Sequence, residues 1–237
     1  MPCVFNLPGL ICATSSKPYN MSLAHGDTTS SLQNRKDFLS FLGIDYKKLA
    51  CGVQAHSAMV RKVVLADAGR GALSPDSAFD KTDAFITNAA GLPMAVFTAD
   101  CLAVFIYDKK NHAAGIVHAG WRGTKKQICL KTLEYMRKEF STSPENVYCG
   151  FGPRIKSCCY EVGEEFKDFF PEDVTFKGGK YYFDLGNANK RQIVSWGVDP
   201  RNIEDKQECN FCNNNKYFSY RKEGVSCGRM MSALMLK

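Results

Sequence analysis

The stretch TADCLAVFIYDKKNHAAGIVHAGWRGT, residues 98–124, decides how the chain is read. Residues 102–107 and 113–117 are short runs rich in Val, Ile, Ala and Phe, and Asp108-Lys109-Lys110-Asn111 between them carries turn chemistry. Two such runs make an antiparallel hairpin. A loop centred between Lys109 and Lys110 sets Cys101 opposite His118, with Cβ atoms about 5 Å apart. The pair then reads in three ways. It supplies two ligands of a metal ion, or a nucleophile with its base, Asp100 or Asp83 orienting the imidazole, or a packed thiol beside a hydrogen-bonded core histidine.

Working outward, the sequence predicts one mixed α/β unit. A helix is expected over 31–42, where Leu32, Phe38, Leu39 and Leu42 form a stripe that Gly43 ends. Strands are expected over 49–54, 59–65, 85–87 and 94–98, with a loop over 68–77. After Gly123-Thr124, Ile128, Thr132, Leu133, Met136 and Phe140 fall on one side of a helix running to about residue 140. Further strands are read at 147–151, 181–183, 217–220 and 230–236, with helices at 162–170 and from an Asp184 cap to about Gly197. No repeat, low-complexity segment or linker divides the chain, so residues 1–237 are expected to form a single domain.

Composition narrows the function classes. At 45% hydrophobic and 23% charged the chain is ordinary for a soluble protein, and no apolar stretch is long enough to span a bilayer. The start, MPCVFNLPGLICATSS, lacks a basic region before its apolar residues and does not read as a secretory signal, so a cytoplasmic location is expected. Eleven cysteines then read as reduced thiols, mostly small core residues. The net charge of +7 is spread along the chain rather than blocked, which argues against nucleic acid or membrane partners and leaves an anionic substrate compatible. Cys209-Asn210-Phe211-Cys212 is a lone CxxC without a second pair, read as having no metal or redox role, and a disulfide between adjacent Cys158 and Cys159 is strained.

Histidine is scarce: His25, His56, His112 and His118 are the only four. A catalytic zinc takes three protein ligands and keeps one position open, and two imidazoles with one thiolate suit it. Among the remaining histidines His56 is the better third ligand, because it follows a strand-like run whereas His112 sits near the hairpin turn. Four imidazoles cannot build a four-copper laccase centre; one metal fits and a cluster does not.

Longer motifs carry a resemblance. Gln54-Ala55-His56-Ser57, Thr82-Asp83-Ala84, Thr98-Ala99-Asp100-Cys101, His118-Ala119-Gly120-Trp121-Arg122-Gly123, Gly152-Pro153 leading to Cys158-Cys159-Tyr160-Glu161-Val162, and the closing Phe218-Ser219-Tyr220-Arg221 with Gly228-Arg229-Met230 resemble, in order and over nearly the whole chain, the laccase-domain family. Its members are also described as zinc-dependent purine nucleoside phosphorylases and multicopper polyphenol oxidases. The resemblance implies an α/β sandwich with mixed β-sheets and a zinc ion held by His56, Cys101 and His118, with copper as a substitute. It implies phosphorolysis of adenosine, inosine, guanosine and methylthioadenosine, and deamination of adenosine, by a monomer or small homo-oligomer whose partners are purine nucleosides and phosphate. Two departures stand out. Ser15-Ser16-Lys17-Pro18 replaces an Arg-Gly-Gly-Val-Ser-like segment, and Arg154-Ile155-Lys156 replaces Ala-Ile-Gly after Gly152-Pro153.

That expectation assigns further residues. A zinc with an open position makes water a nucleophile near neutral pH, and Asp83 or Asp100 is the candidate to move protons. Arg122, Arg154 and Lys156 are the candidates to hold phosphate, since a guanidinium pairs bidentately with its oxygens. Trp121 and Tyr160 are the candidates to stack on the purine. The alternatives are a copper-dependent polyphenol oxidase, a thiol hydrolase using Cys101 and His118, and a zinc-binding module without catalysis.

Overall fold

The predicted hairpin is the centre of the molecule, in a computed structural model that describes residues 2–237. Its strands are β7 (Leu102–Asp108) and β8 (Ala113–Ala119), and every residue of both is buried. The Asp108 carboxylate accepts from the backbone N–H groups of Lys110 and Asn111, both at 3.0 Å, so Asp108 ends the strand and 109–112 form the loop.

The other strands are β1 (Cys3–Val4), β2 (Leu10–Thr14), β3 (Ala50–Cys51), β4 (Val60–Lys62), β5 (Ala84–Thr87), β6 (Met94–Thr98), β9 (Val147–Phe151), β10 (Glu161–Val162), β11 (Val174–Lys177), β12 (Lys180–Phe183), β13 (Ile203–Asp205) and β14 (Met230–Leu236). The helices are α1 (Thr28–Phe41), α2 (Trp121–Lys125), α3 (Ile128–Phe140), α4 (Phe166–Phe169), α5 (Leu185–Ser195) and α6 (Tyr220–Glu223). Among the described residues they form a six-stranded mixed sheet, β13-β9-β7-β8-β5-β4, a five-stranded mixed sheet, β1-β2-β14-β6-β3, and a small antiparallel sheet, β10-β12-β11. The expected mixed α/β class stands.

Strand alternation builds the layers. Leu102, Val104 and Ile106 pack with Ile128, Leu133 and Met136 of α3 and Ile193 of α5, while Ala103, Phe105 and Tyr107 face Met94, Val96, Leu234 and Leu236 of the other sheet. The far face of that second sheet, through Ala13, Ala95, Met231 and Ala233, packs on Phe38 and Leu39 of α1. The result is a helix, sheet, sheet, helix sandwich. Phe105 lies at its middle with no exposure, and truncation to Ala there costs about 3–5 kcal/mol.

Several expectations change. The two N-terminal strands went unread because Pro2, Pro8 and Gly9 break the pattern; β2 is held by β14 from the other end of the chain, and β1 by β2. The helix expected up to residue 140 is two, divided at Gln127, whose φ is +59°. The strand expected at 217–220 is a turn leading into α6, with the Tyr217 ring fully buried. The helix expected over 162–170 keeps only α4, because residues 161–162 pair with β12. Asp184 caps α5 as expected, accepting from Asn187 N–H at 2.9 Å.

Candidate metal centre and active site

Three segments converge where the chain crosses from one large sheet to the other. Residues 99–101 carry the chain from β6 in one sheet to β7 in the other, so Cys101 stands at the crossing. His118 is the penultimate residue of β8, on the face that looks toward the second sheet. His56 arrives on the loop after β3, with φ +52°. Their donor atoms all lie within 4.8 Å of one another, and Cys101 Sγ is 3.9 Å from His56 Nε2. The two imidazoles meet edge to face at 4.9 Å.

The hairpin register differs from the one expected. His118 pairs with Ala103 and Leu102 with Ala119, so Cys101 comes opposite Gly120. A shift of two residues keeps side chains on the same face, and Cys101 and His118 become diagonal neighbours instead of direct partners. Gly120 is needed for this. A Cβ there would stand 2.9 Å from Cys101 Sγ and 3.1 Å from the His56 ring.

Asp83 organises the cluster. Its Oδ1 accepts from His118 Nδ1 at 2.8 Å and from His56 N–H at 3.1 Å; its Oδ2 accepts from Ala55 N–H, Ser57 N–H and the Ser57 hydroxyl at 3.2, 2.8 and 2.6 Å. One buried carboxylate therefore fixes the His56 loop and the His118 ring together, leaving His118 Nε2 as the free nitrogen. A carboxylate behind a ligating imidazole is the usual support of a metal site. The donors also fit one ion: tetrahedral zinc spaces a sulfur and a nitrogen ligand by about 3.6 Å.

Charge is arranged to match. Burial pushes the Cys101 thiol up, but the His118 imidazolium and hydrogen bonds from His118 and His56 prevail and bring it down to about 6. Burial works against the charged form of His118 too, yet the Cys101 thiolate and Asp83 raise it to about 9. Asp83 is held well below the usual carboxylate range, against its own burial, by His118 and Ser57. Each group thus favours the charged form of the other, and metal binding at such a pair releases protons.

The three donors lie on a cavity of about 570 Å³ that Asp100, Trp121, Arg122 and Tyr160 also line. The Arg122 guanidinium lies 4.3 Å from the Trp121 ring. Asp100, at φ +89°, accepts from the Ser219 hydroxyl at 2.7 Å and Arg221 N–H at 2.6 Å. Two candidates fall elsewhere. Arg154 is buried in a bidentate pair with Asp205 at 2.9 and 2.8 Å, and Lys156 Nζ donates to Gln207 O at 3.3 Å; neither lines the cavity. Lys17 is paired with Glu223 at 3.0 Å. Of the other histidines, His25 lines the cavity and His112 lies against Tyr107 at the far end of the hairpin.

Sequence reasoning passed over Arg35, Arg221 and Arg229, which also line the cavity. Arg221 donates to Glu161 O at 2.8 Å and lies 5.3 Å from the Tyr160 ring. The signal was available: Arg35 follows Asn34 in an amino-terminal stretch that also resembles the family's pattern, Arg221 and Arg229 sit in the closing motifs, and β14 after Arg229 pairs with β6, the strand that leads to Cys101.

A family model described as multi-copper polyphenol oxidoreductase laccase matches residues 11–237. A purine nucleoside phosphorylase of Bacteroides thetaiotaomicron is 38% identical over 163 residues, 65% of this chain and 60% of that protein, so the chain aligns with less than two thirds of that relative. Purine nucleoside phosphorylase YlmD of Geobacillus stearothermophilus is 30% identical over 90% of this chain and 81% of its own. Its crystal structure superposes with a TM-score of 0.92, covering 97% of this chain and 93% of that one at 28% identity. A protein from an unknown prokaryotic organism, named adenosine deaminase RL5, is 30% identical over 89% of this chain and 84% of its own. With the match running from β2 to the last residue and through all three donors, this chain belongs to the multi-copper polyphenol oxidoreductase laccase family.

Proposed function

We propose that the chain is a zinc-dependent purine nucleoside phosphorylase, acting on adenosine, inosine, guanosine and methylthioadenosine, with adenosine deamination as a second activity. The observation that carries this reading is the donor set His56, Cys101 and His118, backed by Asp83 and open to a cavity of about 570 Å³, a size suited to a nucleoside. The names of the relatives supply the substrate class. Both large sheets contribute to the one site, which supports treating the whole chain as a single catalytic domain.

In phosphorolysis a phosphate oxygen bonds to C1′ of the ribose, the C1′–N9 bond breaks, and the departing base takes up a proton. His56, Cys101 and His118 would hold the zinc ion, which when bound would supply Lewis acidity and lower the pKa of a water for deamination. Arg122, Arg221 and Arg229 are assigned to phosphate, since they line the cavity where Arg154 and Lys156 do not. Trp121 and Tyr160 are assigned to the purine faces. Asp100 is assigned to proton transfer, being the carboxylate on the cavity wall. Asp83, with five donors already on its oxygens, is a positioning residue.

The donor count supports one ion rather than a copper cluster, so phenol oxidation is at most a consequence of copper replacing zinc. A second reading has its own observation: Cys101, His118 and Asp83 also have the order of a thiol nucleophile, base and orienting carboxylate. Incubation of each nucleoside with phosphate, followed by chromatographic separation of inosine, adenine and hypoxanthine, tests the proposal. Free base formed only with phosphate present is expected. Zinc-loaded protein that turns over no purine nucleoside contradicts it, and hydrolysis of acyl substrates insensitive to chelators favours the thiol reading.

A further inference from the structure

The CxxC of Cys209 and Cys212, read from the sequence as lacking a second pair, has one in space. Cys158 and Cys159 lie beside it, and the four sulfurs are all within 4.8 Å of one another. Cys159 Sγ is 3.3 Å and Cys158 Sγ 3.8 Å from Cys212 Sγ. Four thiolates around one zinc ion at about 2.3 Å are spaced by about 3.8 Å, so the observed cluster has the dimensions of a tetrahedral site for a single ion. A polynuclear iron–sulfur cluster holds its cysteines farther apart.

The backbone is arranged for the same purpose. Residues 154 and 209 form a parallel bridge, and Asn210 N–H donates to Arg154 O at 3.1 Å, which brings the two cysteine pairs together. Cys209 is buried, Cys159 half-buried, and Cys158 and Cys212 exposed, which leaves a path from solvent. Lys156 and Lys222, anchored on Gln207 O and Phe211 O, put positive charge on the segments carrying the thiolates.

We propose that Cys158, Cys159, Cys209 and Cys212 bind one zinc ion, a second metal site with a structural role. Binding replaces thiol protons by the ion and changes no oxidation state. The site ties residues 155–162, which bring Tyr160 to the cavity, to residues 209–221, which bring Arg221. Those two side chains face each other across the same wall. The proposal stands whether or not purine nucleosides are the substrate.

The test is zinc stoichiometry of the full chain, by elemental analysis and native mass spectrometry after equilibration with zinc chloride and removal of loose metal. Two ions per chain are expected for wild type. One is expected for Cys101→Ser, and one for the double variant Cys209→Ser, Cys212→Ser. Because Cys209 is buried, the exposed single variants Cys158→Ser and Cys212→Ser provide a second measure. With cobalt in place of zinc, each is expected to lose the intense sulfur-to-metal absorption that a tetrathiolate gives and Cys101→Ser is expected to keep. A wild type holding one zinc that Cys101→Ser loses entirely overturns the proposal. So does a folded Cys212→Ser variant with the wild-type stoichiometry and cobalt spectrum.

Discussion

Asp83 and His118 are joined by a 2.8 Å hydrogen bond from Nδ1 to Oδ1, and the same carboxylate collects the three successive N–H groups that hold His56 in place. Two of the three candidate donors thus depend on one residue that does not itself line the cavity. Asp83→Asn is expected to lower zinc affinity by about 10–100-fold, because the supporting charge is lost while shape is kept. Asp83→Ala, which strands buried donors, is expected to cost about 3 kcal/mol or more of stability. Zinc titration and urea unfolding measure the two effects. An Asp83→Asn protein with unaltered zinc affinity would show that the carboxylate does not support the site.

Gly120 tests how tightly the donors are packed. Its backbone, at φ −80° and ψ 171°, is open to any residue, so alanine there introduces no backbone strain. The new methyl meets Cys101 Sγ at 2.9 Å. Gly120→Ala is expected to reduce kcat/KM on the order of 100-fold by displacing the thiolate, with a stability loss of about 1–3 kcal/mol. Unchanged turnover would mean that the thiolate position is not critical.

Arg154 separates a structural cation from a phosphate ligand. It is 2% exposed and paired bidentately with Asp205 on β13. Arg154→Ala is expected to destabilise the fold by about 3–5 kcal/mol. Arg122→Ala is expected to leave stability nearly unchanged and raise KM for phosphate. Paired unfolding curves and phosphate saturation curves check this, and the reverse pattern would return Arg154 to the site.

The thiols divide by environment. Burial pushes Cys12 and Cys129 up to about 12 and Cys51 to about 11, and raises Cys149 as well, so these stay neutral and inert at pH 8. Cys158, though exposed, is pushed up to about 11 as well, so brief alkylation of native, metal-free protein at pH 8 is expected to label Cys101 first, with zinc protecting it. Peptide mass mapping reads the pattern; equally rapid labelling of Cys129 would contradict the packing described for α3.

The hairpin, the helix stripe of α3 and the Cys101, His118 and His56 set were legible because each rests on local alternation, periodicity or scarce residue types. The register was displaced because Asp108 folds its side chain over the turn and lengthens β7, a choice that strand propensity does not reveal. What stayed hidden depends on distant partners. Asp205 claims Arg154 across 51 residues, β14 recruits the N-terminal strands, and the bridge between residues 154 and 209 makes a four-cysteine cluster from two pairs that look unrelated in sequence.

The most direct measurement is phosphate-dependent release of hypoxanthine and ribose 1-phosphate from inosine by zinc-loaded wild type and by Cys101→Ser. Zinc-dependent phosphorolysis at this site requires product from wild type, loss on chelation, recovery with zinc, and at least a hundredfold drop in folded Cys101→Ser, as removal of a metal ligand entails. Wild-type turnover by folded Cys101→Ser, or no turnover by wild type carrying zinc on His56, Cys101 and His118, would contradict it.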